Sequence, residues 1–336
     1  MLPPTIALTR WLLVALLAAA PALACAKRTL SPEDAFVAAR DAFRAGDAAR
    51  IAKYAAKLDG HLLKPWVNYW LLKTRLEETS PEDVRGFLDR NANTYLAEIL
   101  RREWLRVVGK KQQWQLFQQE RPLLVSGDAD IGCYSLLARW RQNDEAAISQ
   151  LGEYWNAPRE LPEGCVPLAE EAFRSGQYGP QQVWERFRLL SEATLIGTAK
   201  RTLAYLPRQE APSASQVDAA VSSPARTLDR LRDLRPRVAR ELALLALSRL
   251  ARVDPQLAAI HWEKVQGQFS APDRGYAWGR IATEGAKRHL SQAVGWFVEA
   301  GDTPLSEEQL AWRTRIALRH NRWAEVLAAI EHMPAR

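Results

Sequence analysis

The last third of the chain repeats itself with a period of 34 residues. The dipeptide Ala277-Trp278 returns as Ala311-Trp312, and Trp262 returns as Trp296. This is the period of a tetratricopeptide-like helix–turn–helix unit. One such hairpin cannot bury its apolar stripe alone, so neighbouring hairpins stack and share a core. The repeat therefore predicts an all-α fold, an α-superhelix of stacked helical hairpins.

Helix boundary signals extend this prediction to the rest of the chain. Ser31 and Ser80 each precede a proline and two acidic residues, the chemistry of a helix N-terminus. No stretch alternates apolar and polar residues, with β-branched enrichment, for long enough to indicate a strand. After Pro236 the pattern predicts six helices in three hairpins: 238–250, 255–265, 273–285, 290–300, 306–319 and 323–331.

One segment differs in composition. Residues 207–226 are rich in Ala and Ser and contain Pro212. A linker is one interpretation, and a poorly packed helix over 215–222 is the other. The predicted organisation is therefore an N-terminal helical array over 25–206, this linker or weak helix, and C-terminal hairpin repeats over 227–336.

The N-terminus has the features of a signal peptide covering residues 1–24. Arg10 precedes a short apolar run, and Ala22-Leu23-Ala24 supplies a small-x-small cleavage pattern. Cleavage after Ala24 is favoured over cleavage after Ala26. Cys25 could then carry a lipid anchor, although Ala22 stands where lipoprotein signals usually have Leu. We expect an exported periplasmic protein, with an outer-membrane lipoprotein as the less favoured alternative.

Export changes the interpretation of the other two cysteines. Cys133 and Cys165 would lie in an oxidising compartment, where a pair tends to be joined, so a disulfide is predicted. Two separately buried thiols are the alternative. No His or further Cys stands at zinc-ligand spacing, so no metal site is predicted.

The net charge of +7 is spread along the chain rather than gathered in one run. A diffuse excess of this kind favours encounter with polyanions, including cell-envelope polymers, but it does not specify nucleic acid. We interpret most of it as a solvated surface and expect no nucleic-acid partner.

No catalytic residue and no cofactor are predicted. Adjacent acids such as Glu170-Glu171 point about 100° apart on a helix, so they do not converge on one substrate atom. Ser306 and Gln309 fit a capping box instead. The five histidines show no ligand-pair spacing, no nucleophile elbow is recognisable, and no glycine-rich phosphate loop is present.

Tryptophan is the one unusual residue type, with 13 copies. Trp66 and Trp70 could stack on sugar rings, because an indole face packs well on a pyranose. The alternative is that these rings, like those at repeat spacing, fill space between stacked helices, and for the repeat tryptophans this alternative is favoured.

Several blocks carry a family resemblance. Residues 276–282, 286–290 and 300–313 resemble the superhelical region of soluble lytic murein transglycosylases. Residues 83–88 and 100–105, with Trp114, look like the same family's N-terminal helices. Cys133 and the segment 164–168 fall where that family places its cysteines. The resemblance covers nearly all of the predicted mature chain.

The resemblance implies a curved α-superhelix followed by a lysozyme-like domain. That domain cleaves the MurNAc–GlcNAc β-1,4 bond of peptidoglycan to a 1,6-anhydro product, using one Glu in a Glu-Ser pair. This sequence has no Glu-Ser pair and stops at Arg336, within the predicted array. We therefore expect a scaffold region that lacks the catalytic domain and is inactive by itself.

The expected partners are peptidoglycan and, further, other cell-wall proteins. A membrane would be a partner only if Cys25 is lipidated. The alternative function is a stand-alone periplasmic helical-repeat adaptor that binds protein or glycan.

Overall fold

The structure is a computed structural model that describes residues 30–333. The predicted signal peptide and Cys25 lie outside the described residues. Within 30–333 the regular elements are all helices and no strand occurs, which confirms the all-α prediction. In the same range, no helix combines the length and apolarity needed to cross a bilayer.

We number the α-helices in chain order, and four 3₁₀ turns lie between them. The helices are α1 (Pro32–Arg44), α2 (Ala48–Ala55), α3 (Lys64–Thr74), α4 (Pro81–Arg90), α5 (Tyr95–Lys110), α6 (Trp114–Glu120), α7 (Ala129–Trp140), α8 (Ala146–Ser149), α9 (Gly152–Trp155), α10 (Val166–Arg174), α11 (Pro180–Glu192), α12 (Ile196–Thr202), α13 (Ala214–Ser222), α14 (Pro224–Arg230), α15 (Arg237–Val253), α16 (Pro255–Val265), α17 (Ala271–Lys287), α18 (Gln292–Glu299), α19 (Glu307–Arg319) and α20 (Trp323–Glu331). The turns are Arg121–Leu123, Glu163–Cys165, Leu203–Tyr205 and Gln266–Gln268.

The helix N-termini form where the boundary signals predict them. The hydroxyls of Ser31 and Ser80 each accept the backbone N–H three residues further on, at 3.1 Å in both cases. At the start of α19, the Gln309 N–H donates to Ser306 Oγ and the Ser306 N–H donates to Gln309 Oε1. Each bond satisfies a backbone donor that has no partner within the helix. The predicted capping box is confirmed.

The chain divides into two compact units. In the described range, the N-terminal unit comprises residues 30–107 and 120–126, and the C-terminal unit comprises 108–119 and 127–333. The N-terminal unit buries small and aromatic side chains of its first helices, such as Ala39, Trp70 and Phe87. Its one fully enclosed carboxylate, Glu120, is 4 % exposed and is paired with Arg85 and Arg101.

The C-terminal unit contains the predicted six helices, α15 to α20, as successive hairpins in which alternate helices also touch. The repeated tryptophans take equivalent places: Trp262 and Trp278 lie on α16 and α17, and Trp296 and Trp312 on α18 and α19. Trp262 and Trp278 are 1 % and 3 % exposed and share one core, against which Trp296 packs. The 34-residue period is thus a stacking period, and its tryptophans are packing residues.

Residues 207–226 contain a packed helix. Helix α13 runs over Ala214–Ser222, and its Val217 and Ala220 are fully buried against Leu242 and Ala246 of α15. These two positions are three apart, so they share one helix face. From composition alone, this segment could be a linker or a weak helix. In the structure it contains a helix with a defined buried face.

The structure joins Cys133 of α7 to Cys165 of the turn that precedes α10, with the Cα atoms 4.7 Å apart. Both cysteines are fully buried in a core that includes Leu137 and Trp155. The link closes a loop of chain within one unit, and the two positions are 32 residues apart.

We expect replacement of this pair to lower stability without changing the fold. In the variant Cys133→Ala/Cys165→Ala, the free energy of urea unfolding should fall by about 3–4 kcal/mol, because the unfolded chain regains loop entropy. Adding a reductant should lower the stability of the wild type towards that of the variant and leave the variant unchanged. Equal stability of the wild type with and without reductant would contradict the prediction.

A second prediction concerns the close approach of α17 to the segment after α18. A Cβ added at Gly275 would lie 2.5 Å from the carbonyl oxygen of Ala300, which is backbone and cannot rotate away. Gly275→Ala should therefore lower the free energy of unfolding by about 1–3 kcal/mol. In contrast, Gly295→Ala in α18 meets nothing within 4 Å and should be neutral or stabilising. Thermal unfolding of both variants measures the difference, and equal effects would contradict it.

Candidate functional site

One face of α17 carries a stripe of polar residues. They recur every three or four positions and therefore lie on one side of the helix: Asp273, Tyr276, Arg280, Glu284 and Lys287. The other side, with Trp278 and Ile281, is buried in the apolar core. The polar stripe faces Arg188 and Glu192 of α11 and Glu241 of α15. We call these eight residues the polar seam.

The centre of the seam is a closed ion cluster around Arg188. Its guanidinium donates to both carboxylate oxygens of Glu241, at 2.7 and 2.9 Å, and to Asp273 at 2.7 Å. It also lies over the ring of Tyr276, 5.0 Å from the centroid. Glu241 is 2 % exposed and takes a second cation, Arg237, at 3.3 Å. One arginine therefore ties three helices together.

The charges of this cluster are matched, and the pKa values reflect it. Burial acts to raise the pKa of Asp273, but the charge and hydrogen bond of Arg188 outweigh it and lower that pKa below its usual value. Burial acts to lower the pKa of Arg188, and its bonds to Glu241 raise it overall. Burial, together with nearby Glu192, raises the pKa of the Tyr276 phenol. At neutral pH Arg188 and Asp273 stay charged and Tyr276 keeps its proton.

Beyond Tyr276 the seam opens into a groove of about 390 Å³. Tyr276 donates its hydroxyl proton to Glu192 at 2.5 Å, and Arg280 lies 3.5 Å from the same carboxylate. At the far end, Lys287 lies 3.3 Å from Glu284 and 2.9 Å from a residue of α19, Glu308. The charged lining of the groove is Glu192, Arg252, Arg280, Glu284, Lys287 and Glu308.

The cations of this region are less completely paired than those of the closed cluster. Among the described residues, Arg249 and Arg252 have no carboxylate within 4 Å, and Arg252 donates instead to the backbone carbonyl of Glu192. Burial, and then the like charges of Arg280 and Arg249, lower the pKa of Arg252. Three guanidinium groups, those of Arg249, Arg252 and Arg280, are thus gathered near Glu192 and Glu284.

Three buried polar atoms in this region have no hydrogen-bond partner within residues 30–333. They are Ser191 Oγ, Arg249 Nη1 and Arg280 Nε, and Ser191 and Arg280 are each only 7 % exposed. All three residues line a small cavity of about 10 Å³ that shares Glu192, Arg252 and Arg280 with the groove. Buried donors without partners are costly, so they mark places where a further polar group fits.

The two tryptophans predicted for glycan stacking lie in the N-terminal unit. Trp70 is 8 % exposed, with its ring 5.1 Å from that of Phe36 and 5.7 Å from that of Phe43. Trp66 is partly exposed, 6.4 Å from Trp70. The ring of Trp70 is enclosed, which supports the packing alternative for that residue. A glycan contact at Trp66 stays a prediction.

The acidic pair on α10 diverges as predicted from helix geometry. Glu171 is 5 % exposed and is paired with Arg141 and Arg174, whereas Glu170 is exposed. In the part of the chain that the structure describes, no group of three or more His, Cys, Asp or Glu side chains is placed to hold a metal ion.

Sequence reasoning missed the polar seam. Its signal was present in part, because the polar residues of α17 recur at helical spacing inside an otherwise small and apolar helix. What the spacing could not supply is the partner: Arg188 and Asp273 are 85 positions apart.

Solved structures of known proteins share this fold, although the sequence comparisons find no match. No family model and no curated protein matches the sequence. An inactive mutant of the lytic transglycosylase Slt from Pseudomonas aeruginosa matches with a TM-score of 0.62 and 23% identity, over 89% of this chain and 49% of that one. The 70-kDa soluble lytic transglycosylase from Escherichia coli matches with a TM-score of 0.53 and 18% identity, over 90% and 50%. The same values hold for that enzyme in complex with bulgecin A.

The chain spans about half the length of these enzymes. The likeness shows that it shares their all-α fold of packed helices, and the resemblance drawn from the sequence blocks is confirmed at the level of fold.

The closed cluster predicts a pH dependence of stability. Since the folded pKa of Asp273 is lowered, its stabilising effect is complete above the unfolded value near 4 and is lost as the pH falls through the folded value. Asp273→Asn should lower the free energy of unfolding by about 1–2 kcal/mol at pH 7, and this difference from the wild type should shrink below pH 4. Urea unfolding at pH 7 and pH 3 measures it.

The matched control is Asp302→Asn, which changes an exposed aspartate in the turn after α18. It should leave the stability nearly unchanged at both pH values. If Asp273→Asn behaved like the control at pH 7, the cluster would not stabilise the fold.

Proposed function

We propose that this chain is the helical scaffold region of a periplasmic lytic murein transglycosylase and that it contacts peptidoglycan. The observation that carries the proposal is the fold match to lytic transglycosylase Slt over 89% of the chain. The sequence blocks 276–282 and 300–313 support the same family independently, since they were identified from residues and not from shape. The predicted signal peptide supports export to the periplasm, where peptidoglycan lies.

We further propose that the chain by itself does not cleave glycosidic bonds. A glycosidase acid needs a raised pKa so that it can donate a proton near neutrality. A neighbouring arginine or lysine instead lowers the pKa of five carboxyl groups in the described residues: Glu160, Asp233, Asp273, Glu308 and Glu325. Of the buried carboxylates in the described residues, Glu120, Glu171 and Glu241 are each paired with two arginines, and Glu284 is paired with Arg280 and Lys287. The 336 residues also contain no Glu-Ser pair.

Binding and cleavage can be measured on the same sample. The purified mature chain should sediment with peptidoglycan sacculi at moderate salt and should release no anhydro-muropeptides into the supernatant. Clear release would contradict the proposed lack of activity. Absence from the pellet at low and moderate salt would contradict the contact with peptidoglycan. Binding that disappears as salt rises would indicate only the diffuse basic charge.

A variant of Trp66 tests the predicted glycan contact in the N-terminal unit. Trp66→Ala should weaken salt-resistant pelleting about tenfold if the partly exposed ring stacks on sugar, since one stacking contact contributes roughly 1–2 kcal/mol. Trp70 is unsuitable for this test because its ring is enclosed. Tyr95→Ala, which removes another exposed aromatic side chain of the same unit, is the control. Equal pelleting of both variants would contradict a glycan contact at Trp66 and support a packing role for its ring.

A helical-repeat adaptor for a protein partner is the second candidate, and one observation favours it. Helix α20 exposes Trp323, Leu327 and Ile330, which are 62 %, 62 % and 50 % exposed and are spaced as one helix face. Photo-crosslinking from position 327 in intact cells, compared with the exposed polar position Glu299 of α18, tests it. A discrete protein adduct from position 327 alone would support an adaptor.

A further inference from the structure

The groove at the open end of the polar seam has the size of a ligand site. Its volume of about 390 Å³ lies within the range of small-molecule pockets, and it is bounded by side chains from three stacked helices, α15, α17 and α19, and from α11. The adjoining cavity of about 10 Å³ has room for one water molecule only, so a larger ligand has to occupy the groove.

The charge of the groove decides which ligand fits. The groove lining carries three cations, Arg252, Arg280 and Lys287, and three anions, Glu192, Glu284 and Glu308, and Arg249 of the adjoining cavity adds a fourth cation. One positive charge is in excess. The excess lies at the Arg249 and Arg252 end, where no carboxylate is within 4 Å in the described chain, whereas Lys287 is paired with Glu284 and Glu308.

The unused hydrogen-bond donors of Arg252 and Arg280 also favour an anionic ligand. Arg280 is 7 % exposed, its Nε has no acceptor among the described residues, and its contacts to Glu192 and Glu284 are long, at 3.5 and 3.9 Å. Arg252 lines both the cavity and the groove, and its one hydrogen bond goes to a neutral backbone carbonyl. Guanidinium groups with spare donors in a partly buried setting bind planar oxyanions strongly.

The acidic residues restrict the kind of anion. One negative charge on the ligand neutralises the single excess positive charge, whereas a dianion such as a phosphate ester would leave uncompensated negative charge beside Glu192 and Glu284 in a partly buried setting. A carboxylate carries a single charge, and its planar pair of oxygens matches the guanidinium fork.

We propose that this groove binds the carboxylate end of a short peptide, such as the peptide portion of peptidoglycan. The carboxylate character of the ligand is inferred from the groove itself. The choice of peptidoglycan as the source rests on the proposed function. The groove is thus a peptide site in the C-terminal unit, and it is separate from any glycan contact at Trp66 in the N-terminal unit.

The test is calorimetric titration of the mature chain with three probes. They are a disaccharide–tetrapeptide muropeptide, the same tetrapeptide without sugar, and the tetrapeptide with every carboxylate amidated. Both carboxylate-bearing probes should bind, and the amidated peptide should bind at least about tenfold more weakly, because it cannot form charge-assisted bonds to arginine. Equal binding of free and amidated peptide would overturn the proposal. So would inorganic phosphate binding as tightly as the peptide.

Two variants change the groove charge in opposite directions. Arg252→Gln removes a cation and should weaken peptide binding about tenfold or more, whereas Glu308→Gln removes an exposed rim anion and should strengthen it a few-fold. Arg235→Gln is the matched control, since it removes the same charge from an exposed arginine outside the groove. Thermal unfolding checks the fold of each variant. If Arg252→Gln fails to fold, the Glu308→Gln result decides alone, and unchanged or weaker binding there overturns the proposal.

Sacculus pelleting of the same variants separates this inference from the proposed function. Pelleting of the wild type without any peptide binding would overturn the groove assignment and leave the contact with peptidoglycan standing. Peptide binding without pelleting would support the carboxylate site and overturn peptidoglycan as its source.

Discussion

The ion cluster of Arg188 with Glu241 and Asp273 is the interaction on which much of the C-terminal unit depends. Apolar stacking brings α11, α15 and α17 together but does not by itself choose how far each helix is rotated, since neighbouring apolar positions are similar in size. The Arg188 guanidinium must lie within 3 Å of two carboxylates, and this restricts the rotation of each helix much more strongly. A buried cluster of this kind is weak evidence for stability and better understood as a device that sets register.

The groove lies at the open end of the same polar seam. In the closed half of the seam, each positive charge has its carboxylate and the helices meet tightly. In the open half of the seam, Arg249 and Arg252 of α15 have no carboxylate within 4 Å in the described chain, although Glu192 and Glu284 lie nearby. The candidate site lies where the closely paired ions of the seam give way to arginines with no carboxylate within 4 Å in the described chain.

Local signals predicted the local structure well. The capping box at Ser306 and Gln309, the Ser-Pro helix starts and the 34-residue tryptophan spacing all concern residues within one or two helices, and all correspond to the structure. The weaker predictions involved packing. Composition could not choose between linker and helix at 207–226, because the burial of Val217 and Ala220 depends on α15. Trp70 was suggested for sugar stacking because the sequence does not show that the rings of Phe36 and Phe43 enclose it.

The sequence by itself determined the class of fold, the hairpin period, the helix ends and a resemblance to lytic transglycosylases, because periodicity and capping act over a few residues. Only the tertiary structure decided which charges meet. Arg188 and Asp273 are 85 positions apart, and Glu192 and Arg280 are 88 apart. The burial of those groups, and hence which arginines are left with spare donors, depends on how three hairpins stack. The candidate site is therefore a property of the stacked array and of no single segment.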